Sequence, residues 1–251
     1  LSAFSTGAVA DVSAAGIDEV IVTATRRPAT IGEISSPISV ISRAEVLGAK
    51  LTTDVLSFQV GVYLQQTTPG QGAAIIRGLK GSAILHLVDG TPLNNAIFRS
   101  APTPYLALAP TTAVERVEVI RGTPASLHGS QAVGGVVQVV SKIPHFESTE
   151  TEFRRDVAVS FDSAELRQSA KGTLDIGNNR LAASVSDEYL STGNRRIGGG
   201  TRIAPSGYNS KAGRFLISAT FSDERSWLFD LQMLEQASTP RVDELVPGFG
   251  Q

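Results

Sequence analysis

The chain has 251 residues, no cysteine, and 22 lysines and arginines against 24 aspartates and glutamates, a formal net charge of −2. Near neutrality leaves no electrostatic footprint for nucleic acid, and the missing cysteines exclude a disulfide framework and thiolate metal sites. No apolar run reaches the ~18 residues a membrane-spanning helix needs, so any membrane role must use strands or surface contact.

Residues 1–10, LSAFSTGAVA, are small and uncharged, and Ala8-Val9-Ala10 before Asp11 fits a small-x-small cleavage site. They read as the remnant of a signal peptide and are set apart from the folded chain. Residues 11–30 form a polar arm with one β-prone island, Glu19, Val20, Ile21, Val22, Thr23 and Ala24, which ends at Arg26-Arg27-Pro28. An extended segment near a terminus can add a strand to a partner's sheet edge through main-chain hydrogen bonds; it can equally be the first strand of the domain.

Residues 31–145 read as a mixed α+β domain. Ile38, Val40 and Ile41 suit a strand, and Ser42-Arg43-Ala44-Glu45 is a capping-box pattern that opens a short helix. Thr53-Asp54-Val55-Leu56 predicts a second short helix. Residues 74–76 and 84–88 are strand candidates, with a turn at Asp89-Gly90-Thr91-Pro92. The aperiodic stretches 67–72 and 94–104 are expected to be exposed, mobile loops. In residues 114–121, Val117 and Val119 alternate with Arg116, Glu118 and Ile120, which predicts one face in a core and the other against charge. Gly122, Gly129, Gly134 and Gly135 then mark sharp turns before a second extended run at 136–141.

Residues 146–251 change character. Val157, Val159 and Phe161 share one parity; Leu174 and Ile176, Leu181 to Tyr189 in steps of two or four, Phe215 to Phe221, and Trp227 to Met233 repeat it in four further runs. On the other parity stand Arg167, Ser169, Lys171, Thr173 and Asp175. Runs of about ten alternating residues are the signature of a membrane β-barrel, although a soluble β-sandwich alternates too, usually over shorter strands. Tyr189, Phe221, Trp227 and Phe229 lie near run ends, where an interfacial girdle belongs. The links at 177–179 and 223–225 are tight, whereas 191–209 is a long Gly-rich loop. Four or five strands cannot close a barrel of useful size, and an open edge in lipid strands unpaired backbone groups. The chain is therefore read as the N-terminal part of a longer protein.

Enzyme chemistry finds little support. His86, His128 and His145 lie far apart without metal-ligand spacing, and no metal site is assigned. No phosphate-binding loop, nucleophile elbow or zinc pattern occurs, and Gly70-Gln71-Gly72 stands before a strand, the wrong context for a dinucleotide fingerprint.

One resemblance unites these segments. VERVEVIRGTPASLHGSQAVGGVVQVVSK (114–142), preceded by AAIIRGLKG (73–81) and LHLVDGTPLN (85–94), resembles the plug domain of TonB-dependent outer-membrane receptors. IDEVIVTATR (17–26) resembles that family's TonB box. The departures are His128 in place of the usual Tyr, Gln138 in place of Asn, and Val60-Gly61-Val62 in place of Pro-Gly-Val; no motif arginine or glycine is lost.

The resemblance implies an α+β plug domain with a mixed β-sheet, followed by antiparallel strands of a transmembrane β-barrel that is incomplete in this chain. Its division would be 1–10 signal remnant, 11–30 arm with TonB box, 31–145 plug, and 146–251 the first four to five of about 22 barrel strands. It implies docking of the TonB energy-coupling protein at residues 19–24, and anchoring of the plug by Arg77 and Arg121 to glutamates on later strands. It also implies outer-membrane lipid around the wall, periplasmic exposure of plug and arm, and no cofactor. The external ligand would be a ferric siderophore, with cobalamin, other metals or glycans as alternatives. Gln71, Phe98, Arg99 and Tyr105 are its candidate contacts, since amide, aromatic and guanidinium groups serve most polar ligands. A non-transporting binding or signalling module built on the plug fold is the other class of reading.

Overall fold

The computed structural model describes residues 21–22, 29–30, 36–66, 70–93, 104–122, 128–196, 198–222 and 225–236. In the arm, β1 (Ile21–Val22) pairs antiparallel with β2 (Ala29–Thr30).

The first part of the plug follows local rules. β3 (Ile38–Ile41) leads into α1 (Arg43–Gly48), whose N-cap is Ser42. The Ser42 amide donates to Glu45 Oε2 at 2.8 Å, and the Glu45 amide donates back to the Ser42 hydroxyl at 3.5 Å, which completes the capping box. The Ser42 hydroxyl also donates to Glu45, and these bonds hold the Glu45 carboxyl below its ordinary range. The second short helix is a 3-10 turn at Asp54–Phe58. A separate hairpin pairs β4 (Val62–Gln65) with β5 (Ala73–Ile76).

Next come β6 (Ile84–Val88), β7 (Thr91–Pro92), β8 (Val114–Arg121) and β9 (Gly135–Ser141). They join β3 in a five-stranded sheet of order β3-β8-β9-β6-β7, in which β6 and β9 run parallel and the other pairs antiparallel. Between β6 and β7, Asp89 and Gly90 take φ of 48° and 79°, as a two-residue hairpin turn requires. The predicted turn thus occupies only Asp89-Gly90, and Thr91-Pro92 already belong to a strand.

Both faces of this sheet are buried. On one, Ile41, Ile84, Val117, Val119, Val137 and Val139 pack with Val46, Leu56 and Ile76 from outside the sheet; Leu85, Leu87, Ile120 and Val136 form a second cluster. The face of β8 expected to meet charge does carry an ion pair, Arg116 with Glu118, but it is buried. Strand β8 is an inner strand between β3 and β9 and both its faces are covered, so Ile120 and even Glu118 are fully buried, with Glu118 held by Arg116 Nε at 2.8 Å. Gly135 permits this packing: a Cβ there would lie 2.6 Å from the Ile120 carbonyl oxygen.

Five long strands complete the chain: β10 (Glu152–Asp162), β11 (Arg167–Gly177), β12 (Leu181–Thr192), β13 (Tyr208–Ser222) and β14 (Arg225–Glu235). They form one antiparallel sheet in sequence order, with 11 to 15 residues per strand, enough to cross a bilayer when tilted. Asn178 closes the tight link, its side chain accepting from the amides of Arg180 and Leu181.

The alternation in this wall is inside out. Leu174, Ile176, Leu181 and Val185 are each about half exposed, while Thr173, Asp175, Ser184 and Ser186, interleaved with them, are buried. A soluble sandwich would bury the apolar parity; here it faces outward and the polar parity faces the plug. Aromatic residues mark the ends of the outward face. Trp227 stacks on Phe229 at 6.3 Å between ring centroids near one end, and Tyr189 stands towards the other.

Candidate functional site at the plug-wall seam

The inward face of the wall meets the plug through buried polar groups drawn from the more polar parity of its strands. On β12, Glu188 accepts from the Thr111 hydroxyl at 2.9 Å and from the Thr112 amide at 3.3 Å. On β11, the Lys171 ammonium donates to the carbonyls of Leu47 and Ala49 at 2.8 and 3.0 Å, and lies 3.9 Å from Glu188. Those carbonyls belong to the C-terminal end of α1, where orphan acceptors attract a cation.

Lower on the wall, Asp175 pairs with Lys142, the residue after β9, and accepts from the Ser184 hydroxyl at 2.6 Å. Arg214 on β13 forms a fork with Asp230 at 2.9 and 2.7 Å, and its remaining nitrogen donates to the carbonyls of Lys142 and Ala113 at 2.7 and 3.3 Å. Buried charges are tolerated when each is paired and hydrogen-bonded, and these are.

At the opposite end, where the loop 193–207 leaves the wall, Glu165 pairs with Lys50 of the plug and with Arg195 Nε at 3.2 Å. Gln236 donates to the Gly70 carbonyl at 3.0 Å. A small apolar cluster of Leu51, Ala107, Leu190 and Tyr208 closes the seam between these tiers.

The residues nominated from sequence occupy other places. Of the TonB-box residues, Ile21 and Val22 form β1, while Glu19, Val20, Thr23 and Ala24 lie outside the described residues. Phe98 and Arg99 also lie outside them, and Tyr105 falls in a 3-10 turn at Pro104–Leu108. Gln71 is half-buried. The expected exposed loop at 67–72 is corrected at its end: Gly70 and Gly72 are buried, and a Cβ on Gly72 would lie 2.9 Å from the Leu64 side chain.

Arg77 and Arg121 stand close together at the far end of β8. Arg121 donates to the Val60 carbonyl at 2.6 Å and to the Ser39 hydroxyl at 2.7 Å, so the bonds described for it lie within the plug. Arg77 is exposed at φ 52°, its amide donating to the Gly61 carbonyl, and its guanidinium approaches Gly122. Sequence reasoning did not nominate Lys142, Lys171, Asp175, Glu188 or Arg214. The available signal was parity: Lys171, Asp175, Glu188 and Arg214 all stand opposite the apolar set in their strands.

A mixed-sheet domain locked by buried polar contacts to the inner face of an outward-apolar antiparallel wall defines a class of protein, a membrane β-barrel holding a plug. Residues 30–136 match the family model described as TonB-dependent Receptor Plug Domain. The chain is 32% identical over 197 residues to the vitamin B12 transporter BtuB of Vibrio vulnificus strain YJ016, covering 76% of this chain and 30% of that protein. Two solved structures share the fold. They are the copper transporter OprC (TM-score 0.63, 20% identity, 74% of this chain and 28% of that one) and the siderophore receptor PirA from Acinetobacter baumannii (TM-score 0.56, 23%, 79% and 31%). This chain belongs to the TonB-dependent receptor family, with a plug domain followed by a sheet of antiparallel strands. It spans about 30% of the length of the transporter it matches.

Proposed function

We propose that this chain is the N-terminal portion of a receptor that takes up a scarce nutrient across the outer membrane. The observation that carries the reading is the inverted wall, apolar outward and polar inward, with the plug bonded to its inner face. Such a wall needs lipid outside, and such a plug must shift before anything passes. The force would come from TonB, docking at Glu19, Val20, Ile21, Val22, Thr23 and Ala24 and pulling from the periplasm.

The long loop 193–207 would then lie outside the cell, since external loops are the longer ones in such barrels. Gln71 stands towards that end, beside the Gly70 carbonyl that Gln236 holds. With Phe98, Arg99 and Tyr105 it is the proposed ligand side of the plug. Cargo binding there would reach the arm only through a difference in affinity for two plug states.

The leading cargo is a ferric siderophore. Cobalamin is the second reading, favoured by the identity to a vitamin B12 transporter. The test is deletion of residues 19–24 in the intact receptor, followed by uptake and surface binding of labelled ferric siderophores and labelled cobalamin. Energised uptake should vanish while surface binding of one cargo persists. Uptake that survives the deletion overturns the TonB assignment, and binding without energised uptake in the unaltered receptor favours the signalling module.

A further inference from the structure

Between the plug and the upper end of the wall lies a cavity of about 560 Å³. Its size falls within the range of small-molecule sites. The plug side supplies Ile41, Gly48, Val55, Phe58 and Asp54; the wall side supplies Arg167, the first residue of β11, and Arg195 from the long loop. The contacts of the seam already described leave one member of this lining unsatisfied.

That member is Arg167. Its Nε is shut away from water and makes no hydrogen bond among the described residues, and its charge partner, Asp162, stays 3.6 Å from the other end of the guanidinium. Because Nε has no open surface, an incoming acceptor would meet the terminal nitrogens of the guanidinium, one of which has only Asp162 at 3.6 Å for company, too far for a hydrogen bond. The nearby carboxylates do not compete for it. Glu165 is shared by Lys50 and Arg195, and Glu45 is held by Ser42. Asp54 accepts from Gln66 at 2.9 Å, and burial pushes its carboxyl above the ordinary range.

Ser57 and Gln59 add polar groups to the lining, and Ile41, Val55 and Phe58 form its apolar part. Val55 belongs to the plug core, and Phe58 lines the cavity beside it. Planar carboxylate geometry matches a guanidinium edge, and an aromatic or aliphatic body matches Val55 and Phe58.

We propose that this cavity is a second ligand site, separate from the cargo side of the plug, that takes a small organic acid. Its carboxylate pairs with Arg167 of the wall and its apolar body rests on Val55 and Phe58 of the plug. Because the two halves of the site come from the two sides of the seam, the acid binds the docked plug in preference to a displaced one. By linkage it holds the plug in place.

The test uses the intact receptor purified in detergent and titrated calorimetrically with phenylacetate, with 2-phenylethanol as the neutral counterpart. Phenylacetate should bind at least about tenfold more tightly than the alcohol, the worth of one charge-assisted hydrogen bond. Arg167→Gln should abolish that preference and Arg167→Lys should keep part of it. Gly48→Leu should block both compounds, because a Cβ at Gly48 meets nothing within 4 Å and its φ needs no glycine, so the new side chain fills the cavity without backbone strain. Failure of phenylacetate to bind, or equal binding to Arg167→Gln and Gly48→Leu proteins that retain the circular dichroism of the unaltered receptor, overturns the proposal. Binding should persist when residues 19–24 are deleted, so this result is independent of the uptake experiment.

Discussion

Glu188→Ala is the most direct probe of how the wall holds the plug. Glu188 is 8% exposed and accepts from Thr111, fully buried, and from the amide of Thr112, while facing Lys171 at 3.9 Å. Truncation leaves a hydroxyl and an amide unsatisfied in a dry seam. Lys171 loses its counter-charge but keeps the Leu47 and Ala49 carbonyls, which places the cost at the low end of the range for breaking a buried pair, about 3 kcal/mol.

The Thr112 amide reports on this directly, since it exchanges with solvent when the seam opens. A loss of about 3 kcal/mol corresponds to exchange faster by about 100-fold or more in the intact receptor. Glu188→Gln keeps an acceptor and should cost roughly 1 kcal/mol. Combining it with Thr111→Val should be less than additive, because the two changes remove the same bond. An exchange rate at Thr112 within a few-fold of the unaltered protein after Glu188→Ala would refute the view that this carboxylate fastens the plug.

Three further outcomes follow from other sites. Arg121→Ala removes bonds to Val60 and Ser39 and should destabilise the plug by about 1–3 kcal/mol, read from amide exchange in β3; exchange there that does not change would return Arg121 to a purely wall-facing role. Val185→Arg, on the outward face of β12, should cost about 2–4 kcal/mol of folding into lipid vesicles if it sits at the midplane, whereas a mild effect would argue against a bilayer outside the wall. Burial raises Asp54 above its ordinary value of 3.8, offset in part by Lys50. The folded plug then holds a proton that the unfolded chain releases, so this residue's contribution to stability falls as pH rises from about 3.8 through the folded value. Asp54→Asn should therefore raise the unfolding temperature at neutral pH and flatten its decline from acid pH; an unchanged pH profile would count against the burial.

The legible parts of this fold are those set by near neighbours. Ser42 and Glu45 make a capping box because both partners lie within one helical turn, and Asp89-Gly90 make a hairpin turn because only local φ values are at stake. The motif arginines and glycines were equally legible as strings, but not what they touch. Arg121 reaches Val60 and Ser39, 61 and 82 residues away. Alternation set Glu118 on the face of β8 expected to meet charge, and it is buried there beside Arg116 because both faces of the sheet are covered. The seam was invisible for the same reason: Lys171 meets carbonyls 122 and 124 residues earlier in the chain.

By itself the sequence determined the period of the wall, the order of the plug motifs and the family they resemble. It did not determine the sign of the alternation. A strand with apolar residues on one parity serves a soluble sandwich or a membrane wall equally well, because the pleat assigns the two faces without saying which one is wet. Only the tertiary structure decided that, by setting the plug against the polar parity of β11, β12 and β13 and leaving Leu174, Ile176 and Val185 to face outward.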